Sequence, residues 1–236
     1  MIQSDFRIHY DDSFIVEVDG SEYKFHEIRL YLPADEFLMP LRCYLRGGEI
    51  KKGDVVVDAG AYIGIFTILA SRIVGENGRV VSFEPDTANF KELVDNIRLN
   101  GLRNVIPLNK ALWSHDTELP FRMTGEMGSS IDIEELDSES CVRVPVVGLD
   151  AELRRFNIGN VDFVKMDVEG AEVEALKGSE ETLRKNHPSL AIASYHVVKG
   201  KQTYHEVERL LRGMGYEVET SCVEHSITYA HKSPRE

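Results

Sequence analysis

The chain is poor in cysteine and contains no long apolar run. Its 236 residues include three cysteines, which lie far apart at Cys43, Cys141 and Cys222. An odd number of widely spaced cysteines argues against a disulfide framework and a cysteine-based zinc site, and it suits a reducing cytoplasm. No apolar stretch approaches the ~20 residues that a helix needs to span a bilayer. The first residues, Met1–Asp5, also lack the basic and apolar parts of a secretory signal.

Basic residues are scarce as well. The sequence has 40 aspartates and glutamates against 27 lysines and arginines, for a formal net charge of -13 at pH 7. A surface this acidic repels phosphate backbones, so nucleic acid is not expected as a partner. Hydrophobic residues make up 42% of the chain, which fits one large globular domain or one domain with an appendage. The sequence does not determine the oligomeric state, and a homo-oligomer is one of the open alternatives.

The first 50 residues differ from the rest of the chain. Phe14–Val18 and Tyr23–Phe25 flank an Asp19-Gly20 pair, and this pattern predicts a β-hairpin. The stretch from Tyr31 to Leu45 is mixed and contains two prolines. We therefore interpret residues 1–50 as a small β-rich appendage that packs on a main domain of residues 51–236.

Strand and helix signals alternate through the main domain. The predicted strands are Asp54–Asp58, Arg79–Glu84, Val105–Leu108, Val161–Asp167, Leu190–Ser194, Tyr216–Thr220 and Ser226–His231. The predicted helices are Ile63–Val74, a helix that Pro85-Asp86 opens and that ends near Asn100-Gly101, Gly170–Lys177 and Tyr204–Gly213. Asp86 or Thr87 is the expected cap of the second helix. Repeated β–α units predict an α/β fold with a mostly parallel sheet and helices on both faces. The last two strands have no helix between them and are expected to pair antiparallel.

A long polar stretch, Arg122–Cys141, interrupts this alternation. It lies between two short strand signals, Leu119–Phe121 and Val142–Val147. A loop of this length in a compact domain is usually a functional lid or a disordered segment, and we favour the lid slightly.

The most informative segment runs from Val55 to Thr67. An apolar β-branched run ends in Asp58, and Gly60 and Gly64 follow before an apolar-periodic stretch. This pattern predicts a buried strand, a tight turn and a helix, with a turn whose backbone can approach a ligand. Open α/β sheets bind ligands at the carboxyl ends of their strands, where this chain places Asp58, Glu84, Asn109, Lys110, Asp167 and His196.

The turn discriminates between two cofactors. Dinucleotide-binding turns follow G-x-G-x-x-G, and the turn from Gly60 to Gly64 lacks the middle of that pattern. Asp58 would also place negative charge near a pyrophosphate. S-adenosylmethionine has no phosphate, and its ammonium and sulfonium are positive, while Glu84 can accept hydrogen bonds from its ribose hydroxyls. S-adenosylmethionine is therefore favoured, and an NAD-type oxidoreductase is the rival interpretation.

Four segments resemble the FkbM-type S-adenosylmethionine-dependent methyltransferases: Val57–Gly64, Phe83–Asp86, Asn109–Leu112 and Asp162–Glu172. The resemblance extends from about Asp54 to about Glu219. It implies a Rossmann-like class I methyltransferase sheet of seven strands, the last antiparallel. It also implies O-methylation of a hydroxyl on a sugar or small metabolite. The residues expected to hold the cofactor are Asp58, Gly60, Ala61, Tyr62, Gly64, Glu84, Pro85, Asn109, Lys110, Ala111 and Asp167.

Methyl transfer to a hydroxyl needs positioning of the acceptor and loss of its proton, so a base or a metal ion is useful. The candidate catalytic residues are Asp167, His196, Lys165 and Glu169. Lys165 shares a strand face with Asp167 and is expected to pair with an acid or contact the substrate. Asp167, Glu169 and His196 are a reasonable ligand set for a divalent metal, although they do not identify one. A non-catalytic S-adenosylmethionine-binding module remains the second alternative.

Overall fold

The computed structural model describes residues 6–18, 21–25, 43–122, 130–131, 141–221 and 226–232. Its strands are β1 Phe6–Tyr10, β2 Phe14–Val18, β3 Ser21–Phe25, β4 Val55–Ala59, β5 Arg79–Phe83, β6 Val105–Leu108, β7 Ala111–Leu112, β8 Thr117–Arg122, β9 Ser130–Ile131, β10 Cys141–Val147, β11 Phe163–Met166, β12 Ser189–Ala193, β13 Val197–Val198, β14 Lys201–Gln202, β15 Tyr216–Ser221 and β16 Ile227–Lys232. Its helices are α1 Ile65–Val74, α2 Thr87–Leu99, α3 Leu149–Arg155, α4 Glu172–Lys177, α5 Glu180–Asn186 and α6 Tyr204–Gly213.

A seven-stranded sheet of order β15-β16-β12-β11-β4-β5-β6 forms the centre of the fold. The strands from β12 to β6 pair parallel to one another. Strand β16 pairs antiparallel with both β12 and β15. The predicted parallel sheet with an antiparallel last strand is therefore confirmed. Its physical basis is the β–α alternation, because a helical crossover returns the chain in the same strand direction.

Each face of the sheet is covered by its own apolar cluster. Val56 and Phe163 pack with α1 on one face, whereas Val57 and Val164 pack with the helices of the second half of the chain on the other. Neighbouring side chains of a strand point to opposite faces, so a strand covered on both faces is continuously apolar. Helices α3 and α5 are short and were not among the helices that the sequence pattern predicts.

The N-terminal strands form a separate three-stranded antiparallel sheet of order β1-β2-β3. The predicted pairing of Phe14–Val18 with Tyr23–Phe25 is observed, and Phe14 lies opposite Phe25. The predicted turn at residues 19–20 lies outside the described residues. Phe25 and Tyr44 are buried in the apolar cluster that also contains α1. The domain boundary at residue 50 stays a prediction.

Part of the polar stretch 122–141 has regular structure. Ser130 and Ile131 form β9, which pairs antiparallel with β8 at the edge of a four-stranded sheet of order β7-β10-β8-β9. Residues 123–129 and 132–140 lie outside the described residues, so the lid interpretation stays a prediction. Within the described ranges, no helix is both long and apolar enough to cross a membrane.

Candidate active site

The glycine turn after β4 packs against the end of β11. The N–H groups of Gly60 and Ala61 both donate to the carbonyl oxygen of Phe83, at 3.0 and 2.9 Å. Gly60 has a φ of 77°, and a Cβ added there would lie 1.8 Å from the carbonyl oxygen of Asp167. Gly64, with a φ of 94°, is the N-cap of α1. Glycine at position 60 therefore lets the turn touch the loop that carries Asp167.

We expect Gly60→Ala to lower the free energy of unfolding by about 1–3 kcal/mol more than Gly53→Ala, the usual cost of forcing extra atoms into a packed site. Gly53 is the matched control, because it also has a positive φ, of 92°, but has no atom within 4 Å of an added Cβ. Urea denaturation of both variants measures the difference. An equal decrease in the free energy of unfolding in Gly60→Ala and Gly53→Ala would show that the turn can move away from Asp167.

Asp58 lies beneath the turn and is fully buried. Its Oδ1 lies 3.1 Å from Lys165 Nζ, and its Oδ2 accepts a 2.6 Å hydrogen bond from Thr67 Oγ1. Lys165 Nζ also donates to the carbonyl oxygen of Gly60 at 2.6 Å. The predicted pairing of Lys165 with an acid is thus observed. The pair supports the turn from below, and a direct contact of Asp58 with a cofactor ammonium stays a prediction.

Glu84 follows β5 and faces the same turn. Its Oε2 accepts from the N–H of Tyr62 at 2.8 Å, and its Oε1 accepts from the N–H of Asp86 at 2.9 Å. Burial raises the pKa of Glu84 to about 7, against the lowering effect of these two hydrogen bonds. Each carboxylate oxygen keeps acceptor capacity for a further donor. Asn109 Nδ2 donates to the carbonyl oxygens of Glu84 and Pro85 at 2.8 and 3.0 Å, which holds this loop in place.

Two other residues predicted to bind the cofactor have structural contacts. Lys110 Nζ lies 2.7 Å from Glu152 Oε1, and the Glu152 carboxylate is almost completely buried on α3. Ala111 packs with Phe121 in a small apolar cluster. The side chain of Lys110 therefore links β6 to α3, and a contact of either residue with the cofactor stays a prediction.

The structure brings Asp167, Glu169 and His196 together. His196 Nε2 lies 3.3 Å from Glu169 Oε2 and 3.7 Å from Asp167 Oδ1, and one ligand atom from each residue lies within 4.8 Å of the others. His196 Nδ1 lies 2.8 Å from Oε1 of the buried Glu172. His196 is distant in sequence from these acids, and it meets them because β11 and β12 are parallel neighbours that end at the same edge.

The local backbone and the charges shape this cluster. Glu169 has a φ of 52° and Gly170 a φ of 98°, so the chain makes a left-handed turn between β11 and α4. A glutamate in this region is uncommon and is a reason to consider function. Burial lowers the pKa of His196, but its contacts with Glu169 and Glu172 raise it by more, to about 10. The two carboxylates therefore favour the protonated form of the ring.

Tyr44 also reaches this site, and sequence reasoning missed it. Its hydroxyl donates to Asp167 Oδ2 at 2.8 Å, and its ring centroid lies 5.3 Å from Lys165 Nζ. Burial and the charge of Asp167 raise the pKa of Tyr44 well above its usual value, so the hydroxyl remains a donor. Tyr44 precedes the matched motifs and follows no periodic pattern. No sequence signal marks it.

The strand order and the glycine turn define a class I methyltransferase fold. Solved structures agree on the fold. Aeropyrum pernix fibrillarin with natively bound S-adenosyl-L-methionine aligns with a TM-score of 0.54 at 16% identity, covering 98% of this chain and 100% of that chain. A methyltransferase FkbM from Methylobacillus flagellatus KT aligns with a TM-score of 0.55 at 19% identity, over 75% of this chain and 43% of that one.

The family follows from the sequence match. The model of the methyltransferase FkbM domain matches residues 58–218, so the chain belongs to this family. Curated relatives include the hexuronic acid methyltransferase AglP of Haloferax volcanii, 28% identical over 58% of this chain and 54% of the relative. The 31-O-demethyl-FK506 methyltransferase FkbM of Streptomyces tacrolimicus is 25% identical over 75% of this chain and 78% of the relative. The chain spans about half the length of AglP.

Proposed function

We propose that this protein transfers a methyl group from S-adenosylmethionine to a hydroxyl of a sugar or small metabolite. One observation carries the proposal. The Gly60 turn is in contact with the Asp167 backbone, so the cofactor turn adjoins the cluster of Asp167, Glu169 and His196. A methyl donor held by the turn and an acceptor held by the cluster would thus be neighbours, which is the main requirement of the reaction.

The residues present fit S-adenosylmethionine better than a dinucleotide. The cofactor supplies an electrophilic methyl group on a positively charged sulfur. Glu84 has acceptor capacity for ribose hydroxyls, and the carboxylates of Asp167 and Glu169 favour a cationic ligand over a pyrophosphate. The rival NAD-type oxidoreductase has no comparable support.

The cluster is also suited to take the acceptor proton. Asp167 and Glu169 both lie near His196 Nε2, so a proton that reaches any one of these side chains can be shared with the others. A protonated imidazole must release its own proton before it accepts another, so we assign the proton to the cluster rather than to one atom. Asp167, Glu169 and His196 are thus the proposed catalytic residues, while Lys165 supports the turn.

The acceptor class is inferred from the relatives. AglP is named as a hexuronic acid methyltransferase, and the Streptomyces relative as an O-demethyl-FK506 methyltransferase. The test is incubation with methyl-labelled S-adenosylmethionine and a panel of hexuronic acids, neutral sugars and hydroxylated metabolites, followed by mass spectrometry of the products. We expect a methyl ether on one acceptor class and formation of S-adenosylhomocysteine. Cofactor binding without transfer to any acceptor would favour the non-catalytic module, and NADH binding alone would favour the oxidoreductase.

Binding of S-adenosylmethionine should depend on the ionisation of Glu84. Ribose hydroxyls donate to the carboxylate, so binding favours the ionised form and weakens as the pH falls through the pKa of about 7. If only the ionised form binds, affinity at pH 6 should be about tenfold lower than at pH 8. Calorimetry at both values tests this.

Glu84→Ala should weaken binding by about 1–3 kcal/mol at pH 8, the typical cost of losing a charged hydrogen-bond partner. Glu84→Gln should abolish the dependence on pH between 6 and 8. The exposed Glu76 provides the control, because Glu76→Gln should change neither affinity nor its pH dependence. Equal affinity of the wild type and Glu84→Ala would remove the ribose assignment.

A further inference from the structure

We propose that Asp167, Glu169 and His196 form a binding site for one divalent cation. The ligand atoms are Asp167 Oδ1, Glu169 Oε2 and His196 Nε2. The role of the cation in the reaction rests on the function proposed above, whereas the binding site itself does not.

The distances suit a common metal ion. Ligand oxygens and nitrogens lie about 2.0–2.3 Å from Mg²⁺, Mn²⁺ or Zn²⁺, so neighbouring ligand atoms are separated by roughly 3–4 Å. His196 Nε2 lies 3.3 Å from the Glu169 oxygen and 3.7 Å from the Asp167 oxygen. The two carboxylate oxygens lie within 4.8 Å of each other, so an ion can contact all three ligand atoms after a small movement of the side chains.

Contacts outside the cluster orient two of these ligands. The Tyr44 hydroxyl donates to Asp167 Oδ2, which leaves Oδ1 directed at the cluster. Glu172 Oε1 lies 2.8 Å from His196 Nδ1 and accepts from the N–H of Gly170 at 3.1 Å, which leaves Nε2 directed at the cluster. A carboxylate behind a ligating histidine is the usual outer support of a metal site.

Unsatisfied buried atoms give an independent indication. His196 is 9% exposed, and within the described part of the chain its ring nitrogens have ion-pair contacts with Glu169 and Glu172 but no hydrogen bond of good geometry. Asp167 Oδ1 is also buried without a hydrogen bond. Buried polar atoms of this kind are rare and need an explanation. A cation would satisfy Asp167 Oδ1 and His196 Nε2 together.

The charge of the cluster also favours a bound cation. The carboxylates of Asp167, Glu169 and Glu172 all lie near one imidazole, so the described cluster carries an excess of negative charge. The ammonium of Lys165 does not offset it, because Lys165 is paired with Asp58. Two carboxylates and one imidazole are acceptable ligands for Mn²⁺, Zn²⁺ and related divalent ions.

A cation at this position would attract an acceptor hydroxyl oxygen and make its proton more acidic. With the cation bound, the three side chains are occupied as ligands, so the proton of the broken O–H bond would pass to solvent and not to the cluster. The oxygen would form its bond to the methyl carbon as the bond between sulfur and methyl breaks, leaving neutral S-adenosylhomocysteine. No oxidant or reductant is needed.

The test is titration of the chelator-treated, dialysed protein with Mn²⁺. The electron paramagnetic resonance signal of the free ion measures the number of bound ions, and we expect one Mn²⁺ per chain. The signal of the bound ion should show coupling to a histidine nitrogen. Asp167→Asn and Glu169→Gln should each weaken binding at least about tenfold, and the coupling should be lost in His196→Gln. Glu174→Gln is the matched control, because Glu174 lies on α4 but pairs with Lys177. Circular dichroism checks that each variant is folded.

Absence of Mn²⁺ binding at millimolar concentration in the wild type would overturn the proposal. Unchanged affinity in both folded carboxylate variants would overturn it as well. Calorimetry with S-adenosylmethionine on the same samples separates this outcome from failure of the proposed function. Cofactor binding without Mn²⁺ binding removes only the cation site, and Mn²⁺ binding without cofactor binding removes only the methyltransferase function.

Discussion

Replacing His196 by glutamine is expected to lower turnover ~10²–10⁴-fold, the usual range for loss of a general base or its equivalent. The affinity for S-adenosylmethionine should be unchanged, because the proposed cofactor contacts lie at the Gly60 turn and at Glu84. Turnover is measured as S-adenosylhomocysteine formation with an acceptor from the screen, and affinity by calorimetry. His231→Gln is the control, because His231 is exposed on β16 and pairs with Glu217.

Added Mn²⁺ distinguishes the two roles of His196. If the residue chiefly holds a cation, high Mn²⁺ should restore part of the turnover of His196→Gln, and a chelator should abolish turnover of the wild type. If the residue takes the proton, Mn²⁺ should not rescue the variant and chelation should have no effect. A folded His196→Gln protein with full turnover would eliminate both roles and leave catalysis to positioning alone.

Replacing Lys165 by methionine is expected to lower the free energy of unfolding by about 3–5 kcal/mol, the usual cost of removing one partner of a buried ion pair. Asp58 is fully buried, so its charge would lose the ammonium that lies 3.1 Å away, and the carbonyl oxygen of Gly60 would lose a donor. Urea denaturation at pH 7 measures the loss.

The double variant Asp58→Asn with Lys165→Met should recover much of this stability, because it removes both buried charges. Lys177→Met is the surface control. Lys177 pairs with Glu174 on the exposed side of α4, and such pairs contribute only about 0–1 kcal/mol. An equal decrease in the free energy of unfolding for Lys165→Met and Lys177→Met would mean that the buried Asp58–Lys165 pair stabilises the fold no more than a surface pair does.

Much of the fold was predictable because its signals are local. The glycine turn, the apolar strands and the cap at Asp86 depend on neighbouring residues. Asp86 accepts from the N–H groups of Ala88 and Asn89, as expected of a residue before a helix. Helices α3 and α5, of seven residues each, were not predicted.

The candidate site was predictable only in part. Parallel strand ends meet at one edge, so the convergence of Asp167 and His196 followed from the order of strands. The contact partners of the individual side chains could not be deduced from the order of strands. Lys110 faces Glu152 on α3, and Tyr44 contacts Asp167 from outside the recognised motifs.

The sequence by itself determined the order of strands and helices along the chain, the glycine turn from Gly60 to Gly64 and the identity of the acids that end the strands. These features depend on apolar period, glycine position and residue chemistry, all of which are read along the chain. Only the tertiary structure decided that Asp58 is paired with Lys165 and that Tyr44 contacts the cluster of Asp167, Glu169 and His196. The physical reason is that a charged or polar side chain takes whichever partner the packing brings within reach, and packing joins residues more than a hundred positions apart.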